Sequence, residues 1–331
     1  MPALLEARDI KAYYRTPSGD DIKAVDGVSL GLNEGEVLGI AGESGCGKTT
    51  LAQVIALTVQ KPLYVRSGEV LLDGMPALTL DPETMRREIR GKTISTVPQG
   101  AMNSLNPTLR VRDLAIDVMR DHHPRITRRE AVERARERLV SLGLSPRVLD
   151  SYPHQLSGGM KQRVITVVST LLDPKLLIVD EPTSALDVTS QKVVIKLLID
   201  LLHRGIIRSI VFITHELPLL RHVADRIAIM YAGKLVEFGA MDDLVFHAKH
   251  PYTQRLVDSI LVPEPGMKER TVTGIPGRPP DMRNPPPGCR FAARCHEKMD
   301  ICSQDPPGFE QQGREVWCWL HQDQETGATR R

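Results

Sequence analysis

Gly42-Glu43-Ser44-Gly45-Cys46-Gly47-Lys48-Thr49 is the stretch on which the reading of the fold turns. It fits the pattern of glycine, four residues, glycine, lysine and a hydroxyl residue, and it follows Val37-Leu38-Gly39-Ile40, an apolar run that reads as a buried strand. The missing side chains at Gly42, Gly45 and Gly47 let backbone N–H groups close around phosphate oxygens, while the helix that follows directs its positive end at them. Lys48 supplies a point charge for the β- and γ-phosphates, and Thr49 offers a hydroxyl to Mg²⁺. Ser44, Cys46 and Thr50 belong to the same expected nucleotide contact surface, with Cys46 read as a small loop residue rather than a metal ligand.

Two further motifs follow in order. Leu176-Leu177-Ile178-Val179-Asp180-Glu181 is an apolar strand ending in two acids, of which Asp180 is the expected Mg²⁺ contact and Glu181 the group that polarises the attacking water. Between them lies Leu156-Ser157-Gly158-Gly159-Met160, in which a serine and two glycines open a helix and form a second anion-facing turn. Together the three motifs predict ATP hydrolysis from two separate phosphate-facing half-sites.

The 331 residues, 41% hydrophobic, suffice for one large domain and a smaller appendage. A balance of 43 basic against 41 acidic residues leaves a formal charge of +2, too small for the electrostatic footprint of a nucleic-acid binder. No stretch approaches the roughly 20 apolar residues of a membrane span, and the N-terminus carries no secretory apolar region, so a cytoplasmic chain is expected.

Short β-branched runs alternate with helical patterns from residue 3 to about 260, which predicts an α/β domain on a largely parallel sheet. Residues 37–40, 176–179 and 210–214 are its clearest strands. From about 107 to 153 the pattern is helical only, with Thr127-Arg128-Arg129-Glu130 as a capping box and Val132, Ala135, Leu139 and Leu142 at helical spacing. The expected layout is a nucleotide-binding domain over 1–262, with a helical subdomain inserted at about 107–170, then a proline-rich linker and cysteine module over 263–331. Eight of the 24 prolines lie between Pro263 and Pro287, a passage unable to form a helix or a central strand.

On these motifs the chain resembles the ATP-binding subunits of ABC transporters, from about residue 5 to 260. The resemblance implies further assignments. Gln99 matches the glutamine that contacts Mg²⁺ and the attacking water and senses the membrane subunit. Ser184-Ala185-Leu186-Asp187 matches the loop that ends in Asp187. His215, after Val211-Phe212-Ile213-Thr214, falls where the family has its γ-phosphate-sensing histidine. Tyr14 is the expected adenine-stacking aromatic, with Tyr13 nearly as well placed. Two subunits are implied to pair head to tail, so that ATP at Lys48 of one is covered by Ser157, Gly158 and Gly159 of the other.

The run Ala101-Met102-Asn103-Ser104-Leu105-Asn106-Pro107 and Met160 in the serine-glycine motif resemble the dipeptide and oligopeptide importer subfamily. That likeness implies a second, homologous ATPase subunit, two transmembrane permease subunits and an extracytoplasmic solute-binding protein, with no nucleic acid. The subunit would sit at the cytoplasmic face of the membrane through the permeases. Oligosaccharide or nickel import remains an alternative cargo. A soluble ABC ATPase of DNA or ribosomes would be expected to carry tandem domains or a long coiled coil, and this chain has neither.

Cys289, Cys295, Cys302 and Cys318 are separated by five, six and fifteen residues. In a reducing compartment, four grouped thiols suggest ligation rather than disulfides. No tight C-x₂₋₄-C pair of the structural zinc type occurs, whereas wide flexible spacing suits a [4Fe–4S] cube, with zinc and unligated thiols as alternatives. The segment also resembles the C-terminal extension of peptide importer ATPases, some of which carry such a cluster.

Overall fold

The computed structural model describes residues 3–101, 104–184, 186–259, 274–311 and 313–322. In chain order the strands are β1 (Ala3–Arg15), β2 (Asp21–Asn33), β3 (Val37–Ala41), β4 (Leu63–Leu72), β5 (Met75–Pro76), β6 (Ile94–Val97), β7 (Leu176–Asp180), β8 (Ser209–Ile213), β9 (Arg226–Tyr231), β10 (Lys234–Ala240), β11 (Phe309–Gln311) and β12 (Arg314–Val316). The chain divides into two compact units, one holding Thr79–Val211 with Asn33–Gly35, the other Leu5–Leu32, Glu36–Leu78 and the residues from Phe212 onward.

In the first unit the strand order is β8-β7-β6, and β6 runs parallel to β7 with Val97 opposite Val179. All five residues of β7 are buried, as a two-sided parallel strand requires. Three helices, Val111–His122, Arg128–Ser141 and Gly158–Ser169, pack on one another. The second opens with the expected box: the Thr127 hydroxyl accepts from the Glu130 N–H, and the Glu130 carboxylate accepts from the Thr127 N–H at 2.9 Å. Its inward stripe is Ala131, Ala135 and Leu139, so Ala131 takes the place expected for Val132.

The second unit corrects the expectation of a largely parallel sheet. A four-stranded sheet in the order β2-β1-β4-β5 pairs β1 with β4 antiparallel from Leu5 opposite Leu72 to Tyr14 opposite Leu63. Long antiparallel strands alternate buried and exposed residues, and here bulges interrupt the alternation between Arg8 and Ala12, which blurs the period-two signal in the sequence. The other sheet of this unit runs β11-β12-β10-β9-β3, with β3 parallel to β9 and β10 antiparallel to both β9 and β12.

The described part of the proline-rich passage, 274–287, contains neither helix nor strand. The cysteine module beyond it is more than an extended tail, because β12 adds to the edge of β10 and the Trp317 N–H donates to the Val236 carbonyl at 3.0 Å. Tyr231, Tyr252 and Phe291 form an aromatic cluster with ring centroids 4.7 to 5.3 Å apart, joining β9, the helix Pro251–Asp258 and the module. The expected domain boundary at 262/263 lies outside the described residues, as do Met102, Asn103 and Ala185. No helix among the described residues is long and apolar enough to cross a membrane.

Candidate functional site

β3 is buried at all five positions and delivers the chain to Gly42. Gly42 has φ of +149°, and a Cβ there would stand 2.1 Å from the Met230 carbonyl oxygen. Gly47 has φ of +106°, and its Cβ would meet the Ala24 carbonyl at the same 2.1 Å. Both positions therefore demand glycine, for conformation and for space. Gly47 is the N-cap of the helix Lys48–Ile55 and has no capping side chain, so the first N–H groups of that helix face the loop.

Lys48 is buried within the loop's own curve. Its Nζ donates to the carbonyls of Gly42 at 2.7 Å and Glu43 at 2.9 Å. Cys46 is buried beside it, and burial pushes its thiol pKa up, consistent with a small apolar filler. Ser44 and Gly45 are exposed, Thr49 half-buried and Thr50 buried. The Tyr14 hydroxyl lies 3.3 Å from both Thr50 Oγ1 and Gln53 Oε1, which ties its ring to the first two turns of the helix. Tyr13 is buried instead, with its hydroxyl donating to Asp26 at 2.6 Å.

The last two residues of β8, Phe212 and Ile213, belong to the same unit as the loop, and the strand ends at Ile213, one residue earlier than expected. The Thr214 N–H donates to the Ile40 carbonyl at 3.3 Å, just before the loop, and His215 follows exposed.

In the other unit, Asp180 ends β7 and is 5% exposed. Glu181 turns out of the strand with φ of +47°, a costly conformation for a non-glycine residue, held by the Ser184 hydroxyl donating to its carbonyl at 3.0 Å. The parallel register explains its partner. Val97 faces Val179, so Gln99 and Glu181, each two residues further on, meet, and Gln99 Nε2 donates to Glu181 Oε2 at 3.0 Å.

Ser157 caps the helix Gly158–Ser169 by accepting from the Met160 N–H at 3.3 Å, and both Ser157 and Gly158 are exposed. Gly159 is half-buried. Asp187 caps the helix Val188–His203, and the Ser190 hydroxyl donating to it at 2.7 Å holds its pKa below the ordinary carboxylate value.

Cys289, Cys295, Cys302 and Cys318 are all free thiols, yet they line a single small pocket together with His250 and Trp319. Burial raises the thiols of Cys289 and Cys295 and pushes Cys318 up to about 12, with the neighbouring thiols adding to it. Among the described residues no group of three or more His, Cys, Asp or Glu side chains has metal-holding geometry, so the expected [4Fe–4S] cluster is not supported.

Sequence reasoning missed the supports of the loop. Tyr252 accepts the Glu43 N–H at 2.8 Å, and Arg294 grips the Glu43 carboxylate from a point 251 residues away. Neither residue lies in a motif, and an arginine beside Cys295 gives no local sign of its partner.

A glycine loop that aims a lysine and a helix N-terminus into one place, on a strand-fed α/β frame, defines a P-loop nucleotide hydrolase. The ABC transporter family profile matches residues 25–184, and a profile for the C-terminal region of oligopeptide/dipeptide transporters matches 236–302. The chain is 40% identical to the dipeptide transport ATP-binding protein DppD of Caldanaerobacter subterraneus subsp. tengcongensis, over 98% of both chains. It is 41% identical to the oligopeptide transport ATP-binding protein OppD of Bacillus subtilis, covering 93% of this chain and 86% of that one. Among solved structures, the ATP-binding cassette MJ0796, a dimer in a post-hydrolysis state bound to ADP and Pi, superposes with a TM-score of 0.63 at 27% identity, over 72% of this chain and 98% of that one. The chain belongs to the ABC transporter family of ATP-binding subunits and is an ATPase.

Proposed function

We propose that the chain is the ATP-hydrolysing subunit of an importer of dipeptides or oligopeptides. The match of residues 236–302 to the C-terminal region of oligopeptide/dipeptide transporters carries the reading, and the hydrogen bond from Gln99 to Glu181 supports its hydrolytic part, joining the residue matched to permease sensing with the one matched to water activation. In this reading Gly42, Ser44, Gly45, Cys46, Gly47, Lys48, Thr49 and Thr50 hold the phosphates. Thr49, Gln99 and Asp180 hold Mg²⁺, Glu181 polarises water and His215 senses the γ-phosphate. Tyr14 is favoured over Tyr13 for the adenine, because the Tyr13 ring is already buried.

Ser157, Gly158, Gly159 and Asp187 serve the nucleotide of a facing, homologous subunit, consistent with the dimeric state named for MJ0796. The partners are that subunit, two permeases on the membrane and an extracytoplasmic solute-binding protein. A nucleotide-binding domain over 1–262, with its helical part at about 107–170, and a C-terminal module over 263–331 form the layout. Glu181→Gln should retain MgATP binding and lower turnover about a hundredfold or more. Unchanged turnover would remove Glu181 from its role. Uptake of labelled peptides, but not maltose or nickel, by vesicles holding the assembled transporter tests the cargo.

Although the described residues as they stand form no metal-holding group, the reading extends to the four cysteines, which would close on an iron-sulfur cluster that staples the module. Four free thiols on one pocket are the donor set that chemistry needs, and thiolate ligation would supply the crosslink a short proline-rich segment lacks. Anaerobic purification with visible absorbance and iron and sulfide analysis tests it, and stoichiometric zinc without iron would overturn it.

A further inference from the structure

Glu43 places a carboxylate on the phosphate loop, where an uncompensated negative charge repels a polyanion. Both Nη atoms of Arg294 donate to it, at 2.7 Å and 2.9 Å, as a bidentate fork. The Arg294 side chain is 5% exposed and its remaining donors are used: Nε bonds the Pro276 carbonyl at 2.7 Å, and others reach the Ile275 carbonyl and the Tyr231 hydroxyl at 3.1 Å. Its guanidinium also lies 5.7 Å from the centre of the Tyr231 ring. A group held by this many contacts is fixed in place, unlike a surface arginine that happens to swing near an acid. Glu43 is held from two further sides, by Tyr252 at its N–H and by Lys48 Nζ at its carbonyl. One residue thus links Arg294 to the lysine that meets the phosphates.

We propose that Arg294 is a positioning residue of the nucleotide site: it cancels the charge of Glu43 and holds the loop around Lys48 for MgATP. The C-terminal module is then part of the ATP site, through an arginine that directly precedes Cys295. This role rests on the reading of the loop as an ATP site. The hydrogen bond to Glu43 is also the chief reason the Arg294 pKa lies above its ordinary value, as expected of a charge-assisted pair.

MgATP binding to the full chain, measured by calorimetry, tests the role with three variants. Arg294→Gln exposes the loop carboxylate and should weaken MgATP about tenfold. Glu43→Gln leaves the arginine charge uncancelled and should hold or tighten affinity, by up to about threefold. The double variant removes both charges and should return to within about threefold of the wild-type value. A purely structural arginine would leave the double variant as weak as Arg294→Gln, and that result overturns the proposal. Should Arg294→Gln fail to fold, the Glu43→Gln arm decides, since weakened binding there overturns the charge role. A wild-type chain without MgATP affinity overturns the site reading and this role together, whereas wild-type binding with an unchanged Arg294→Gln overturns the role alone.

Discussion

The turns at Gly42–Thr49 and at Leu156–Met160 both place glycines and a hydroxyl at a helix N-terminus, yet they are finished to different degrees. In the first, two glycines sit where a Cβ would strike a backbone carbonyl, and the lysine is already bonded into the loop. In the second, Ser157 and Gly158 are exposed, and among the described residues the serine side chain bonds its own helix at the Met160 N–H. The first turn has been shaped from within its own unit, whereas the second presents donors at a surface. In the proposed reading the first turn binds nucleotide by itself, and the second acts only against a facing subunit.

The largest test of that contrast is Lys48→Ala. It should cut MgATP affinity of the separate subunit by at least about a hundredfold, seen by calorimetry, because the phosphates lose their charge partner. Gly47→Ala comes next. Strain at φ of +106° and the clash with Ala24 should lower stability by about 2 kcal/mol or more, visible as a fall in the thermal midpoint. Gly159→Ala, by comparison, would place its Cβ 3.3 Å from the Ser190 hydroxyl and should stay within about 1 kcal/mol. Equal losses at the two glycines would erase the distinction.

Ser157→Ala should cost about 1 kcal/mol through loss of the cap and leave MgATP binding to the separate subunit unchanged. In the assembled transporter its turnover should fall about tenfold or more, as judged by phosphate release. Weaker binding in the separate subunit would show that the second turn also acts alone.

The smallest effect is one of pH. His250 is fully buried, its Nδ1 accepts from the Tyr252 N–H, and burial pushes its pKa down from 6.5 to about 3. Between those values the unfolded chain binds a proton that the folded chain refuses, so stability falls as pH drops from about 6.5 toward 3. Urea midpoints against pH should therefore slope less in His250→Gln. An unaltered slope would assign the acid sensitivity elsewhere.

Much of the arrangement assigned to the nucleotide is legible in the sequence because it is local. The loop lies within eight consecutive residues, Asp180 ends its own strand with Glu181 directly after it, and the Thr127 box spans four positions. The strand after which Gln99 falls could be read too, although its bond to Glu181 needed the parallel register of β6 and β7. What stayed hidden depends on partners far along the chain. The antiparallel sheet built on β1 and β4 is obscured by bulges, and the fork from Arg294 to Glu43 joins residues that nothing nearby connects. Helical spacing alone marks Val132 as inward-facing, whereas the buried stripe of that helix begins one position earlier, at Ala131.

The short hairpin of β11 and β12 has an effect beyond its size. By pairing with β10, with Phe238 opposite Glu315, it closes what would otherwise be a bare row of amides and carbonyls on an apolar strand. A chain trimmed ahead of Phe309 would offer that row to any passing strand, so the terminal hairpin also guards the protein against sticking to itself.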